Sequence, residues 1–102
     1  MSDHLNIDEI TKNFTDKITN APPLTGTLKV IIEDVGTVYL ENIDSNNIAS
    51  NKDEDADCGV HMSEETFKKL LSGELSGMAA FMQGKLDVKG DMSIAMHLGK
   101  FI

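Results

Sequence analysis

The sequence predicts an α+β domain of five strands and four helices. Three observations lead there. Thr25 to Glu33 and Ala56 to Met62 alternate apolar and polar residues with a period of two, the signature of a half-buried strand. Ile7, Ile10, Phe14 and Ile18 recur at helical spacing. From Met78 to Leu98 the chain reads as helix, strand and helix with a glycine at each junction, and it carries four of the six methionines.

Taken in order, Asn6 caps the first helix, Asp8 and Glu9 sit in its positive opening turn, and Pro22 and Pro23 end it. Leu28, Val30 and Ile32 form the buried face of strand one. Asp34 to Gly36 turn the chain into strand two, Thr37 to Ile43. A turn over Asp44, Ser45, Asn46 and Asn47 leads to a short polar strand, Ile48 to Asn51, whose polarity marks a sheet edge. After the charged loop Lys52 to Asp55, strand four places Ala56, Cys58, Val60 and Met62 inward. Ser63 caps a helix with Phe67, Leu70 and Leu71 on one face and Gly73 as its stop. Ser76 opens a shorter helix in which Met78, Phe81 and Met82 share a face and Gly84 is the end. Strand five is Lys85 to Lys89, and Asp91 caps the last helix.

That last helix carries two apolar stripes: Met92, Ala95, Met96 and Gly99 on one, Ile94, Leu98, Phe101 and Ile102 on the other. A surface helix needs one. Two imply burial on both sides, or an apolar partner on the second. Methionine is flexible and polarizable and suits an adaptable apolar surface, although Met as plain core filler accounts for the composition as well.

At 102 residues the chain is expected to form a single domain over its whole length. Its 40% apolar and 25% charged residues fit a soluble globular protein. The formal charge is −8 from 17 acids and nine bases, and every base is a dispersed lysine, so no footprint for nucleic acid exists. Contact with an anionic membrane is at most transient, through a local patch such as Lys68, Lys69 and Lys85. With one cysteine, no basic-then-apolar leader, no long apolar run and no peroxisomal ending after Lys100, Phe101 and Ile102, the expected compartment is the cytoplasm.

Chemistry-bearing patterns are few. Asp53, Asp55, Asp57, Val60 and Glu64 fall at calcium-loop spacing, but Cys58 stands where the loop needs glycine and the strand alternation claims half the run. His4, His61, His97 and Cys58 lack zinc spacing. Cys58 faces inward, where a thiol is an inert small hydrophobe. No serine elbow or phosphate-cradling loop is present. No catalytic residue, metal ligand or cofactor is nominated, so the expectation is a protein that is not an enzyme.

From Ala56 onward the sequence resembles the sterol carrier protein 2 family, domains that bind sterols, fatty acids and fatty acyl groups. The residues that carry the likeness are Ala56-Asp57-Cys58, Met62-Ser63 with Leu70 and Leu71, Ser72-Gly73, Ala80-Phe81-Met82-Gln83-Gly84-Lys85-Leu86, Lys89-Gly90-Asp91-Met92, and Ala95-Met96 with Leu98. The resemblance implies a five-stranded, mostly antiparallel sheet with helices on one face and an apolar tunnel between the sheet and the C-terminal helices. By position it implies a lipid site in which Met78, Phe81 and Met82 come from the short helix. Met92, Ala95, Met96 and Gly99 come from the last one, with Phe67 and Leu71 behind and Gln83 near a head group. The implied function is intracellular binding and transfer of a fatty acid, an acyl ester or a sterol-like or isoprenoid lipid. The chain stops soon after the last helix, where longer members continue, which implies a tunnel open at one end or closed by a partner subunit. It also lacks the peroxisomal ending of many eukaryotic members, which fits a bacterial stand-alone domain. The alternatives are a homodimerisation or interaction module, or a lipid-presenting subunit of a lipid enzyme, without an open cavity.

Overall fold

The computed structural model describes the backbone of residues 6–98 and the side chains of residues 6–95. Helix α1 is Ile7–Thr19, followed by strands β1 (Leu28–Ile32), β2 (Gly36–Ile43), β3 (Asn46–Ser50) and β4 (Cys58–Met62). Helices α2 (Glu64–Ser72) and α3 (Gly77–Met82), strand β5 (Asp87–Gly90) and helix α4 (Met92–Leu98) complete the order. The strands form one sheet in the order β3-β2-β1-β4-β5. Only the central β1·β4 pair is parallel; the other pairs are antiparallel.

The expected caps are in place. The Asn6 side chain accepts from the Asp8 N–H, Ser63 from Thr66 and Ser76 from Ala79, each satisfying an orphan donor at a helix start. Gly73 closes α2 in the left-handed conformation at φ 82°, which glycine adopts without steric cost.

The alternation puts Leu28, Val30 and Ile32 on the same sheet face as Cys58, Val60 and Met62, all buried. Against this face lie Ile10, Phe14 and Ile18 of α1 and Phe67 and Leu70 of α2, with the Phe14 and Phe67 ring centroids 6.3 Å apart. These helical residues close the core.

Three expectations are corrected. Strand β3 begins at Asn46, because Asp44 and Ser45 alone make the turn with φ of 51° and 70°, the two-residue geometry whose twist suits a hairpin. Strand β5 begins two residues later than expected, since the Lys85 N–H is taken by the Ala80 carbonyl at 2.9 Å and Gly84 turns at φ 74°. On α2 the buried residues are Thr66, Phe67 and Leu70, while Leu71 faces out.

The charged loop after β3 is more than solvated chain. It crosses the outer face of the sheet: the Tyr39 hydroxyl donates to the Asp55 carbonyl at 3.1 Å, Lys52 pairs with Glu41 at 2.9 Å, and Lys29 pairs with Asp53 at 3.0 Å. Tyr39 is buried although it points away from the core.

Asn47 joins the diproline segment to the sheet. Its amide donates to the carbonyls of Ile18, Ala21 and Pro22, and its oxygen accepts from the Leu24 N–H at 3.0 Å and the Asn42 amide at 2.9 Å. Asn47→Ala leaves these part-buried groups unpaired, so it is expected to cost about 2 kcal/mol. A urea titration checks it, and Asn47→Asp, which keeps the acceptor but loses the donor, is expected to recover only part of the loss.

Candidate functional site

The apolar residues that the sequence nominates separate into two sets. Phe67 is core, 1% exposed. Met78 and Met82 on α3 are 64% and 78% exposed, and Phe81, Leu71 and Met92 are also exposed large hydrophobics. Helix α3 is seated instead by Ala80, fully buried. The long side chains Met78, Phe81 and Met82 of this six-residue helix face away from the core.

Gln83 is the C-cap of α3, its N–H donating to the Ala79 carbonyl at 2.9 Å, and its side chain is exposed. Ala95 is half-buried and packs against the core. Of the two stripes on α4, Ile94 is the buried residue and Met92 the exposed one. The Met96 side chain and Gly99 lie outside the described residues, so the shape of the expected tunnel, which they would line, does too.

The seating of α4 follows from local chemistry. The Asp91 N–H donates to the Asp57 carbonyl at 2.9 Å, and the Asp91 carboxylate accepts from the Ser93 hydroxyl at 2.6 Å and the Ser93 N–H at 2.9 Å. The hydroxyl bond first, then the N–H bond, hold the Asp91 carboxyl below its ordinary pKa. Beneath this turn lies Cys58, fully buried, where burial and then the Asp91 charge push the thiol up. A protonated buried thiol is a poor nucleophile.

The acidic run is used structurally: the Asp57 carboxylate accepts from the Thr27 N–H at 3.0 Å, and Asp53 takes Lys29. Among the described residues no three His, Cys, Asp or Glu side chains group as a metal site, and no helix is long and apolar enough to cross a membrane.

A groove of about 590 Å³ lies on the other side of the sheet. It is lined by Lys29, Ile31, Gly59, His61 and Lys89 with the Asp55 crossing and Asp87. None of the described residues nominated for the lipid lines it. The sequence offered one sign of this concavity: Gly59 lacks a side chain on the outer face of a strand whose inner face is fully apolar.

A mixed five-stranded sheet with four helices, of which the short α3 leaves Met78, Phe81 and Met82 exposed, defines a class of small α+β domains. The chain belongs to the SCP-2 sterol transfer family, whose profile matches residues 7–102. It is 35% identical over 92 residues, 88% of its length, to hydroxysteroid dehydrogenase-like protein 2 of Bos taurus, of which it spans 22%. It is 38% identical over 52 residues, 51% of its length, to sterol carrier protein 2 of Homo sapiens, of which it spans 10%. Among solved structures, sterol carrier protein 2 like 2 from Aedes aegypti superposes with a TM-score of 0.71 at 18% identity, covering 94% of this chain and 95% of that one. The chain thus matches only a minor part of these two larger relatives, one of which is named as a dehydrogenase-like protein.

Proposed function

We propose that this chain is a single-domain, non-enzymatic carrier that binds a hydrophobic lipid and transfers it in the cytoplasm. The ligand class is a fatty acid, an acyl ester or an isoprenoid. The observation that carries the reading is the exposure of Met78, Phe81 and Met82 on one short helix, with Leu71 of α2 and Met92 of α4 exposed as well. Three large apolar side chains left in water on one short helix cost free energy unless something covers them. Membership of a sterol transfer family points to a lipid as the cover.

The energetics suffice without chemistry. Enclosing roughly 12 methylenes at about 0.8 kcal/mol each supplies on the order of 10 kcal/mol gross. Ordering and association remove several kcal/mol, leaving binding between micromolar and nanomolar.

The test is a titration with a fluorescent fatty acid. The double variant Phe81→Ser/Met82→Ser, both at exposed positions, is expected to keep its fold by circular dichroism and lose at least about tenfold in affinity, a conservative share of the removed apolar contact. Unchanged affinity in the folded variant removes α3 from the site. Sedimentation of the parent protein separates the other reading: a tight dimer that binds no fatty acid makes this face a contact between two copies.

A further inference from the structure

We propose that the outer face of the sheet carries a second, polar site for a zwitterionic group whose anionic end is a phosphate, as in phosphocholine. The site shares no residue with the lipid surface above and stands independently of it.

Strand register builds the site. Lys29, Gly59 and Lys89 lie abreast on β1, β4 and β5, and Ile31, His61 and Asp87 form the next row on the same face. Neighbouring strands are about 4.8 Å apart, so the two lysines flank the glycine at about 10 Å between their backbones, within reach of one tetrahedral anion by two four-carbon stems. A Cβ at Gly59 would meet nothing within 4 Å. The missing side chain is what opens the groove.

The crossing loop supplies the opposite wall, held by the Tyr39, Lys52 and Lys29 contacts already described, with Asp55 and Ala56 facing the cavity. The volume, about 590 Å³, falls within the range of small-molecule sites.

Charge selects the occupant. Lys89 has no ion pair among the described residues, and Lys29 is held only by Asp53, whose side chain is 81% exposed. The Lys29 side chain itself is 18% exposed, but its carboxylate partner stands in solvent and can give way to another anion. His61 already faces Glu33 at 3.6 Å. A simple anion would enter against the formal charge of −8, and a simple cation would meet the two lysines. A zwitterion satisfies both signs: its phosphate lies over Gly59 between Lys29 and Lys89, and its cation turns to Asp55 or Asp87 on the rims. Ile31 and Ala56 give the linking carbons an apolar floor.

The experiment is an amide-resolved NMR titration of the full chain with phosphocholine, with sodium phosphate and choline chloride as separate probes. Saturable shifts are expected at Gly59, Lys89 and Ala56, with a dissociation constant on the order of millimolar, as a few solvent-exposed charge contacts allow. Either ion alone is expected to bind more weakly. Gly59→Val, which fills open space with a strand-favouring side chain, is expected to abolish the shifts while fatty acid binding persists. Lys89→Gln is expected to weaken binding about fivefold and keeps the test open if Gly59→Val misfolds. Phosphatidylcholine vesicles separate the sources: broadening of the same amides assigns a bilayer head group, and their silence beside a saturating free solute assigns the solute. The proposal is overturned if no probe gives a saturable shift at Gly59, or if the response survives in folded Gly59→Val.

Discussion

Phe67→Ala is expected to lower stability by about 4 kcal/mol, toward the upper part of the range for truncating a buried phenylalanine. The ring is 1% exposed, lies on the inner face of α2 and packs against Phe14 at 6.3 Å between centroids. It links the helix that follows β4 to the helix that opens the chain. The loss combines the transfer free energy of a large aromatic group, the aromatic pair and the cavity left behind. A domain of this size has on the order of 5–15 kcal/mol in total, so a melting temperature roughly 20 °C lower is expected by circular dichroism. Phe67 also stands among the residues nominated to back the lipid. If an acyl chain reaches that depth, saturating fatty acid is expected to raise the melting point of Phe67→Ala more than that of the parent, because a ligand that binds only the folded state stabilises by mass action. A drop of only a few degrees in the variant would show that Phe67 does not anchor the core.

The sheet and its covered face were legible because the burial period of a strand is two and the inward residues are branched or sulfur-bearing: Leu28, Val30, Ile32, Cys58, Val60 and Met62 are all buried. The caps Asn6, Ser63 and Ser76 were equally legible, each being a short polar acceptor placed directly before an apolar period. Boundaries were less so where backbone geometry departs from residue preference. Asp44 and Ser45 adopt positive φ without a glycine to announce it. The direction in which α3 faces was illegible for a different reason. Met78, Ala79, Ala80, Phe81 and Met82 surround a six-residue helix with apolar side chains, so periodicity cannot select an inward one. Close approach to the core selected the smallest, Ala80. The loop across the outer face was missed because its polar residues read as solvated. Its one sign was Tyr39, an aromatic at an outward strand position, which the crossing chain buries.

The two glycines of the β4·β5 pair, Gly59 inside β4 and Gly90 at the end of β5, allow a sharper test of what seats α4. Gly90→Val is expected to cost about 3 kcal/mol or more, whereas Gly59→Val is expected to be nearly neutral for stability. Gly90 has φ 97°, a region in which a residue with a Cβ pays of order 1–3 kcal/mol. A Cβ there would also collide with the Asp57 carbonyl oxygen and lie 3.2 Å from the Cys58 Cα. These obstacles are backbone and cannot swing aside. The Asp57 carbonyl is the acceptor for the Asp91 N–H at 2.9 Å, so moving it away from the new side chain lengthens the bond that starts α4. Ile94 then shifts from its place over Gly26, where even a Cβ would stand 2.5 Å from the Ile94 Cδ1. The consequence is directional. Gly90→Val is expected to melt roughly 15 °C below the parent, and hydrogen exchange is expected to accelerate first at Asp91, Ile94 and Ala95, with the β1·β2 amides retaining protection. Gly59→Val, on the same strand pair but with open space above it, serves as the control. Equal melting temperatures for the two variants would mean that the Gly90 turn does not hold α4, and the exposed apolar helix end would then owe its placement to other contacts.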